Sequence, residues 1–312
     1  MFRLAALGFA AAVCCAQPLY ELSGQILPEG TASVTLFGAT HPFTASTLTD
    51  ESGRFTIKKL KAASYTISVF LPGEGEARQT IEIGPGSADS RRRVHLRLRL
   101  KDENFDRTAL GRRHSVSRQQ LAIPEKAYRE YADAQKDLQK QDTAAAEKHL
   151  ERAVELAPQF AGAWNNLGTI AYQTQRFPLA EERFREALKQ DPSAYEPLVN
   201  LGGVLINLNK LDEALEVNVH ATLTRPNDAL AQSQLGMAYF GIGRLDDAIK
   251  HLERARQLDP AHFSHPQLYL AEIYLRRGDK RAAADAMEDF IQHHPDYPQA
   301  DAMRRKIAEF RQ

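Results

Sequence analysis

Cysteine is almost absent from the chain. The only two cysteines, Cys14 and Cys15, both lie within the first sixteen residues. If that segment is removed, the chain has no thiol, which excludes disulfide bonds and thiol catalysis and leaves core packing as the source of stability. An excess of one charge is also missing, since 40 Lys and Arg residues balance 40 Asp and Glu residues. A dedicated nucleic-acid-binding protein usually carries net positive charge, so no nucleic-acid partner is expected.

Long apolar runs are missing as well, and no transmembrane segment is predicted. The first sixteen residues carry an early cation, an apolar run over 4–13 and then small residues, which is the order of a secretory signal peptide. We expect cleavage after Ala16 and export to the periplasm or the extracellular space, with peripheral membrane contact still open. A short buried N-terminal helix is one alternative. Lipid attachment at Cys14 or Cys15 is less favoured, because Val13 and Cys14 are poor residues before a lipidated cysteine.

Short runs of alternating apolar and polar residues fill residues 17–100. One of them, "YTISVFL", places Tyr65, Ile67, Val69 and Leu71 on the same side. Period two indicates strands with one buried and one wet face, and turn-forming Gly, Pro and Asp residues separate the runs. About seven such runs predict an all-β antiparallel sandwich.

The segment "TLTDESGRFTIKKLKAASYTISV" resembles the carboxypeptidase regulatory-like domain, a transthyretin-like β-sandwich. The matching residues are Thr49, Asp50, Gly53, Phe55, Leu60 and Tyr65, and Ala63 stands where the family has glycine. The resemblance implies a fold more than an activity. Related sandwiches include carbohydrate binders, so glycan binding through this domain is our alternative function. Phe55 and Tyr65 have inward parity, however, which favours core positions over a sugar-stacking platform.

Residues 101–126 show no sustained period and are interpreted as a basic linker between two domains. The cations that form a candidate basic patch at and near the linker are Arg91, Arg92, Arg93, Arg112 and Arg113. They are typical either of a solvated strand end and linker or of a surface that faces an acidic lipid or an acidic partner. The first interpretation is favoured, because exposed charge is the default.

A repeat governs the second half of the chain. Prolines recur at positions 158, 192, 226, 260 and 295, in steps of 34, 34, 34 and 35 residues, and alanines recur in phase with them. Internal periods of this size indicate stacked units. Small residues such as Gly168 let two helices approach, large residues such as Phe184 fill the remaining volume, and proline ends the second helix. Each unit leaves an apolar face that only its neighbour covers.

This pattern resembles the tetratricopeptide repeat, a helix-turn-helix family that forms an all-α superhelical solenoid. Five copies are assigned, at 127–160, 161–194, 195–228, 229–262 and 264–297, with a capping helix at 298–312. Asn218 replaces an apolar residue in the third copy, and Phe290 replaces a small one in the fifth. An extra residue within "AHFSHPQ" predicts that the fifth unit is rotated.

In this family the first helix of each copy, helix A, lines a concave groove. The groove positions fall on Asn165, Asn166, Thr169, Tyr172, Asn200, Ile206, Asn207, Ser233, Gln234, Met237 and Phe240. The sixth position gives an amide ladder of Asn166, Asn200 and Gln234, whose side chains can donate to and accept from a peptide main chain. Alternatively, Asn is simply common at that place. Tyr131 and Glu196 occupy the positions of two lysines that clamp a carboxylate in chaperone-binding members, so that clamp is not expected.

Catalytic and metal-binding patterns are weak. His262 and His265 form H-x-x-H, and His293 and His294 precede a proline, but neither pair has a third ligand at metal spacing. They are interpreted as loop histidines, and no catalytic residue, metal or cofactor is assigned. The sequence thus predicts a non-catalytic adaptor of the cell envelope that binds an extended polypeptide in the repeat groove, with glycan binding by the sandwich as the alternative. An enzyme is the third, least favoured hypothesis.

Overall fold

The computed structural model describes residues 18–72, 75–100 and 122–312. The predicted signal peptide and most of the predicted linker, with Arg112 and Arg113, lie outside the described residues. The first helix of the array begins at Glu125. No helix in these described ranges is long and apolar enough to cross a membrane.

The N-terminal region is a two-sheet sandwich, which confirms the predicted class. Its strands are β1 (Tyr20–Leu27), β2 (Ser33–Gly38), β3 (Thr44–Leu48), β4 (Arg54–Leu60), β5 (Ala63–Leu71), β6 (Gly75–Ile83) and β7 (Arg93–Arg99). One sheet has the order β4-β1-β7 and the other has the order β3-β2-β5-β6. The pairing is antiparallel except between β1 and β7, which run parallel. The first and last strands therefore lie side by side, which strand alternation alone does not predict.

The sandwich core is built from the inward residues of both sheets. Phe55 and Tyr65 are buried within it, as predicted. Gly24 on β1 faces the ring of Phe55 so closely that a Cβ atom would overlap it. The rings of Phe55 and Tyr65 thus serve packing and offer no flat platform on the surface.

The C-terminal region is a stack of helix pairs, and its described residues form eleven helices. These are α1 (Glu125–Gln139), α2 (Thr143–Leu156), α3 (Ala161–Gln173), α4 (Phe177–Gln190), α5 (Tyr195–Asn207), α6 (Leu211–Thr224), α7 (Ala229–Gly241), α8 (Leu245–Leu258), α9 (Pro266–Arg276), α10 (Lys280–His293) and α11 (Ala300–Phe310). Each pair supplies a helix A and a helix B, and α11 packs on α10 through Ile307. In the fifth unit, His265 adopts a left-handed φ of 53° just before α9.

Close approach of paired helices depends on small residues opposite large ones. A Cβ atom on Gly168 would lie 2.6 Å from the ring of Phe184, and one on Gly236 would lie 2.7 Å from Cγ of Leu252. Phe184 and Leu252 are both completely buried. The small and large positions of the repeat are therefore partners in one contact, which explains why they recur together.

The third copy breaks this rule with a polar core residue. Asn218 occupies the position of Phe184 and Leu252, faces Gly202 and is 0% exposed. Neither its Oδ1 nor its Nδ2 atom has a hydrogen-bond partner within the described structure. Burying an amide without a partner is costly, so this position is a weak point of the array.

Replacing Asn218 with leucine is therefore expected to stabilise the protein by about 1–3 kcal/mol, since an unsatisfied amide is exchanged for the side chain used in the fourth copy. Urea unfolding followed by circular dichroism measures the change. Asn218→Ala is the matched control, because it removes the amide but leaves a cavity and should gain less. A loss of stability in Asn218→Leu would contradict the prediction.

The two domains meet along β6, the edge strand of the four-stranded sheet. The backbone N–H of Thr80 donates to Oδ2 of Asp259 at 2.8 Å, and the N–H of Gly86 donates to both carboxylate oxygens of Asp296 at 2.8 and 3.0 Å. At another point, Nε2 of Gln173 donates to the carbonyl of Gly38 at 2.9 Å. The Asp259 side chain thus satisfies a main-chain group that the sheet leaves unpaired at its edge, and Asp296 and Gln173 satisfy main-chain groups at or beyond strand ends.

Candidate functional site

The candidate groove is the surface formed by helices A of consecutive copies. Its predicted residues differ in accessibility. The side chains that remain at least partly exposed are Asn165, Asn166, Thr169, Tyr172, Asn200, Ile206, Asn207, Met237 and Phe240. The structure brings the second and third copies' residues together on one surface, because α3 and α5 pack side by side.

Hydrogen bonds connect this surface from one copy to the next. Nδ2 of Asn166 donates to the Tyr131 hydroxyl at 3.1 Å, and Nδ2 of Asn200 donates to Oδ1 of Asn165 at 3.3 Å. Nδ2 of Asn207 likewise lies 3.3 Å from the Tyr172 hydroxyl. Part of the donor capacity of these amides therefore holds neighbouring helices in register. What they offer a ligand is mainly acceptor oxygens.

Ser233 and Gln234 do not line an open surface, in contrast to the sequence-based expectation. They are 0% and 6% exposed, respectively. Oγ of Ser233 lies 2.6 Å from Oγ of Ser264, so it is committed to a contact with the turn before α9. Gln234 packs against Gly203 of the preceding helix A, where the missing side chain leaves room for an amide. Of the three amides in the ladder, those of Asn166 and Asn200 are thus accessible to a ligand, and that of Gln234 is buried.

Aromatic side chains add apolar area to the same surface. Tyr172 packs edge-on against Phe177 at 5.7 Å, and burial raises the pKa of its hydroxyl. Phe240 meets Tyr269 edge-on at 5.6 Å, and the Arg276 guanidinium lies 4.5 Å from the centre of the Phe240 ring. The surface therefore combines amides with half-buried rings, a mixture that suits an extended polypeptide.

The two positions that replace the clamp lysines have other tasks. Tyr131 stacks on Phe160, with ring centres 4.9 Å apart, and burial raises its pKa. Glu196 accepts from Nη2 of Arg78 on β6 at 3.3 Å and lies 3.5 Å from Nη2 of Arg225. Glu196 thus belongs to the contact between the two domains.

Histidines gather where the last two repeats meet the sandwich. Nδ1 of His294 lies 3.3 Å from Oε1 of Glu82, and the rings of His265 and His294 are 4.7 Å apart. Burial lowers the pKa of His262 to about 3 and that of His265 to about 4, while burial raises the pKa of Asp259 to about 6. Among the residues that the structure describes, no group of three or more side chains is arranged to hold a metal ion.

A second surface, on the sandwich, was only partly visible in the sequence. The outer face of the β4-β1-β7 sheet contains a shallow cavity of about 670 Å³, which we call the β1 trough. Its polar lining consists of Ser23, Gln25, Asp50, Arg54, Thr56, His95 and Arg97. Of the predicted basic patch, Arg91 and Arg92 lie in the turn before β7 and Arg93 begins that strand. The sequence-based prediction of the basic patch did not include Arg54, because the proximity of Arg54 to β7 depends on the order of the strands in the sheet.

Family comparisons agree with this architecture. Residues 131–195 and 210–263 match one sequence model of the tetratricopeptide repeat, and residues 175–236 and 240–307 match a second one. Residues 22–98 match the carboxypeptidase regulatory-like domain. The chain belongs to the tetratricopeptide repeat family and carries an N-terminal carboxypeptidase regulatory-like domain.

Individual relatives share the repeats over part of their length. The chain is 32% identical over 131 residues to ALBINO3-like protein 2, chloroplastic, of Arabidopsis thaliana, which covers 36% of this chain and 25% of that protein. It is 28% identical over 119 residues to the human Cell division cycle protein 16 homolog, covering 35% of this chain and 19% of that protein. The chain thus spans a quarter or less of these relatives.

Solved structures resemble the array in fold. PilW, a type IV pilus biogenesis factor, aligns with a TM-score of 0.52 at 22% identity, covering 60% of this chain and 86% of PilW. MamA from Desulfovibrio magneticus RS-1 aligns with a TM-score of 0.50 at 22% identity, covering 57% of this chain and 99% of MamA. Both alignments show a shared fold.

Proposed function

We propose that the repeat array binds an extended polypeptide in the groove of its second and third copies and that the protein acts as a non-catalytic adaptor in the cell envelope. The observation that carries the proposal is the continuous surface from Tyr131 to Asn207, where amide oxygens alternate with half-buried rings. An extended chain offers backbone N–H groups at regular intervals, and these groups need acceptors. Asn166 and Asn200 supply acceptors one repeat apart.

The buried state of Gln234 narrows the proposed binding site. A ligand that followed the amide ladder into the fourth copy would find no accessible amide there, since Ser233 and Gln234 are buried. The sandwich also reaches this side of the array, because Gly38 accepts a hydrogen bond from Gln173 at the end of α3. The proposed occupant is therefore a short segment that contacts α1, α3 and α5.

Truncating both amides is expected to weaken partner capture. We expect the Asn166→Ala/Asn200→Ala variant to recover at least tenfold less partner from envelope extracts, because two acceptors and two bonds between helices are lost. Quantitative mass spectrometry of the captured proteins provides the measurement. Gln257→Ala, which truncates an exposed amide on α8, is the matched control. Unchanged capture by a folded double variant would remove the groove proposal.

The envelope location rests on the first sixteen residues and on the fold shared with PilW, which is described as a type IV pilus biogenesis factor. Fractionation of producing cells, followed by N-terminal sequencing, tests it. A mature protein that begins at Gln17 supports export. An intact Met1 in the cytoplasmic fraction would contradict it.

A further inference from the structure

On the outer face of the three-stranded sheet, cationic side chains lie along the two outer strands, β4 and β7, and the side chains of β1 lie between them. The pairing register places Arg54 and Arg97 on either side of Gln25, and it places Thr56 and His95 on either side of Ser23. Neighbouring strands are about 4.8 Å apart, so β4 and β7 stand about 10 Å apart across β1. Ser23 and Gln25 on β1 therefore form the floor of the β1 trough, and the side chains of β4 and β7 form its walls.

The walls of the trough are positively charged. Arg54, Arg97 and Arg99 are exposed, and none of their guanidinium groups lies within ion-pair distance of a carboxylate in the described ranges. Lys58 extends the β4 wall and lies 3.7 Å from Glu21, whose charge it balances. Cations on one strand follow each other at about 7 Å, because every second residue faces the same side.

The carboxylates at the ends of the trough are each held by hydrogen bonds of their own turn, so neither bridges to a guanidinium group of the walls, although Asp50 lies close enough to Arg54 to interact with its charge. Oδ1 of Asp50 accepts the N–H groups of Ser52 and Arg54 at 2.9 and 2.8 Å. Oδ1 of Asp89 accepts the N–H of Arg93 at 2.9 Å, and its Oδ2 lies 3.1 Å from Nε2 of His95. Hydrogen bonds from the Arg93 backbone and from His95 lower the pKa of Asp89 to about 2.

We propose that the β1 trough binds a linear acidic polysaccharide, with Arg54 and Arg97 pairing with its carboxylates and Ser23, Gln25 and Thr56 contacting its hydroxyl groups. Guanidinium groups bind carboxylates through paired, charge-assisted hydrogen bonds. Two such groups on opposite walls fit a chain that lies along β1 and presents carboxylates to both sides. This binding is separate from the proposed peptide groove, which lies on the array.

The floor of the trough decides between ligand classes. Since β1 pairs on both sides, its main-chain N–H and C=O groups are engaged in two ladders. A peptide that added itself as a strand would find no backbone partner at this floor, whereas sugar hydroxyls need only the side chains present. Phe55, the aromatic residue of the lining, is buried beneath Gly24, so a neutral glycan gains no stacking contact. Charge is thus what selects the ligand.

The experiment uses the full chain and a labelled oligogalacturonate, a chain of uronic acids, in a titration followed by fluorescence anisotropy. We expect saturable binding that weakens as salt is raised, and no binding to neutral dextran. The Arg54→Gln/Arg97→Gln variant should bind at least tenfold more weakly. Ser23→Glu, which places a carboxylate on the floor and leaves both walls intact, should abolish binding.

The control variant Arg129→Gln/Arg304→Gln removes two exposed arginines from array helices and should bind like the unmodified protein. Thermal unfolding verifies that every variant is folded. Equal binding by the Arg54→Gln/Arg97→Gln variant, or no binding of the uronate by the unmodified chain, would overturn the proposal. Tighter binding of poly-glutamate or of phosphatidylglycerol vesicles would also overturn it, in favour of an acidic peptide or a membrane.

Discussion

Acidification from pH 6.5 to pH 5 is expected to lower the free energy of unfolding by about 2 kcal/mol. The folded-state pKa values of His262 and His265 lie near 3 and 4, below the ordinary value of 6.5. Their contribution to stability is complete above pH 6.5 and is lost as the pH falls toward those values. Burial also lowers the pKa of His41 and His251, which adds to the loss.

One group opposes this trend. The pKa of Asp259 is raised to about 6, so its contribution is complete below its ordinary value of 3.8 and is lost as the pH rises through 6. Between pH 6 and pH 5, protonation of Asp259 therefore restores part of the free energy of unfolding that is lost through the histidines. Glu82 does not reverse the loss of stability on acidification. Burial raises the pKa of its carboxyl group, but hydrogen bonds from His294 and Ser64 lower it, and the pKa remains below the ordinary value of 4.5.

Urea unfolding at half-unit steps between pH 6.5 and pH 5 measures this dependence. His265→Asn should reduce the pH dependence of the free energy of unfolding by roughly 1.4 kcal/mol per pH unit, which corresponds to one proton. Asparagine is chosen because it tolerates the left-handed backbone at this position. His220→Gln, at an exposed site on α6, should leave the slope unchanged. A free energy of unfolding that stays constant or rises on acidification would contradict the assignment.

Truncating Phe184 to alanine is expected to cost about 3–5 kcal/mol, the range seen for a fully buried aromatic ring. The ring fills the space that Gly168 leaves between α3 and α4. Stability in repeat arrays is the sum of unit and interface terms, so the loss should start in the second copy and weaken its interfaces with both neighbours.

Chemical unfolding and hydrogen exchange provide the two measurements for Phe184→Ala. Exchange should rise first in α3 and α4 and reach more distant helices less strongly. Leu223→Ala is the matched control, since that side chain on a helix B is 76% exposed and its loss should change stability by less than about 0.5 kcal/mol. Equal effects of the two substitutions would contradict the packing argument.

The repeat was predictable from the sequence because its determinants are local. Gly168 and Phe184 belong to one helix pair, and their contact recurs with the same spacing between Gly236 and Leu252 in the fourth copy, so the periodicity of the sequence indicates it directly. The strands were predictable for a similar reason, since alternation identifies the inward residues of each strand. Neither signal depends on which strand or repeat is the next neighbour in space.

Sheet order and domain contacts were not predictable in this way. Thr80 and Asp259 are 179 positions apart, and Gly86 and Asp296 are 210 positions apart, so no local pattern connects them. Arg54 and Arg97 face each other only because β1 lies between β4 and β7. The burial of Gln234 depends on Gly203 in another helix, and a list of groove positions taken from the family does not contain that dependence.

The covered edge of β6 has a consequence for dissecting the protein. A fragment ending near residue 100 would lose Asp259 and Asp296, leaving the amides of Thr80 and Gly86 open to pairing with another copy. Self-association of such a fragment would then be created by the cut. The complementary fragment would carry Asp259 without the amide of Thr80. The behaviour of a truncated protein would therefore reflect surfaces that the cut exposes. Point substitutions in the intact chain assign roles to either domain without this effect.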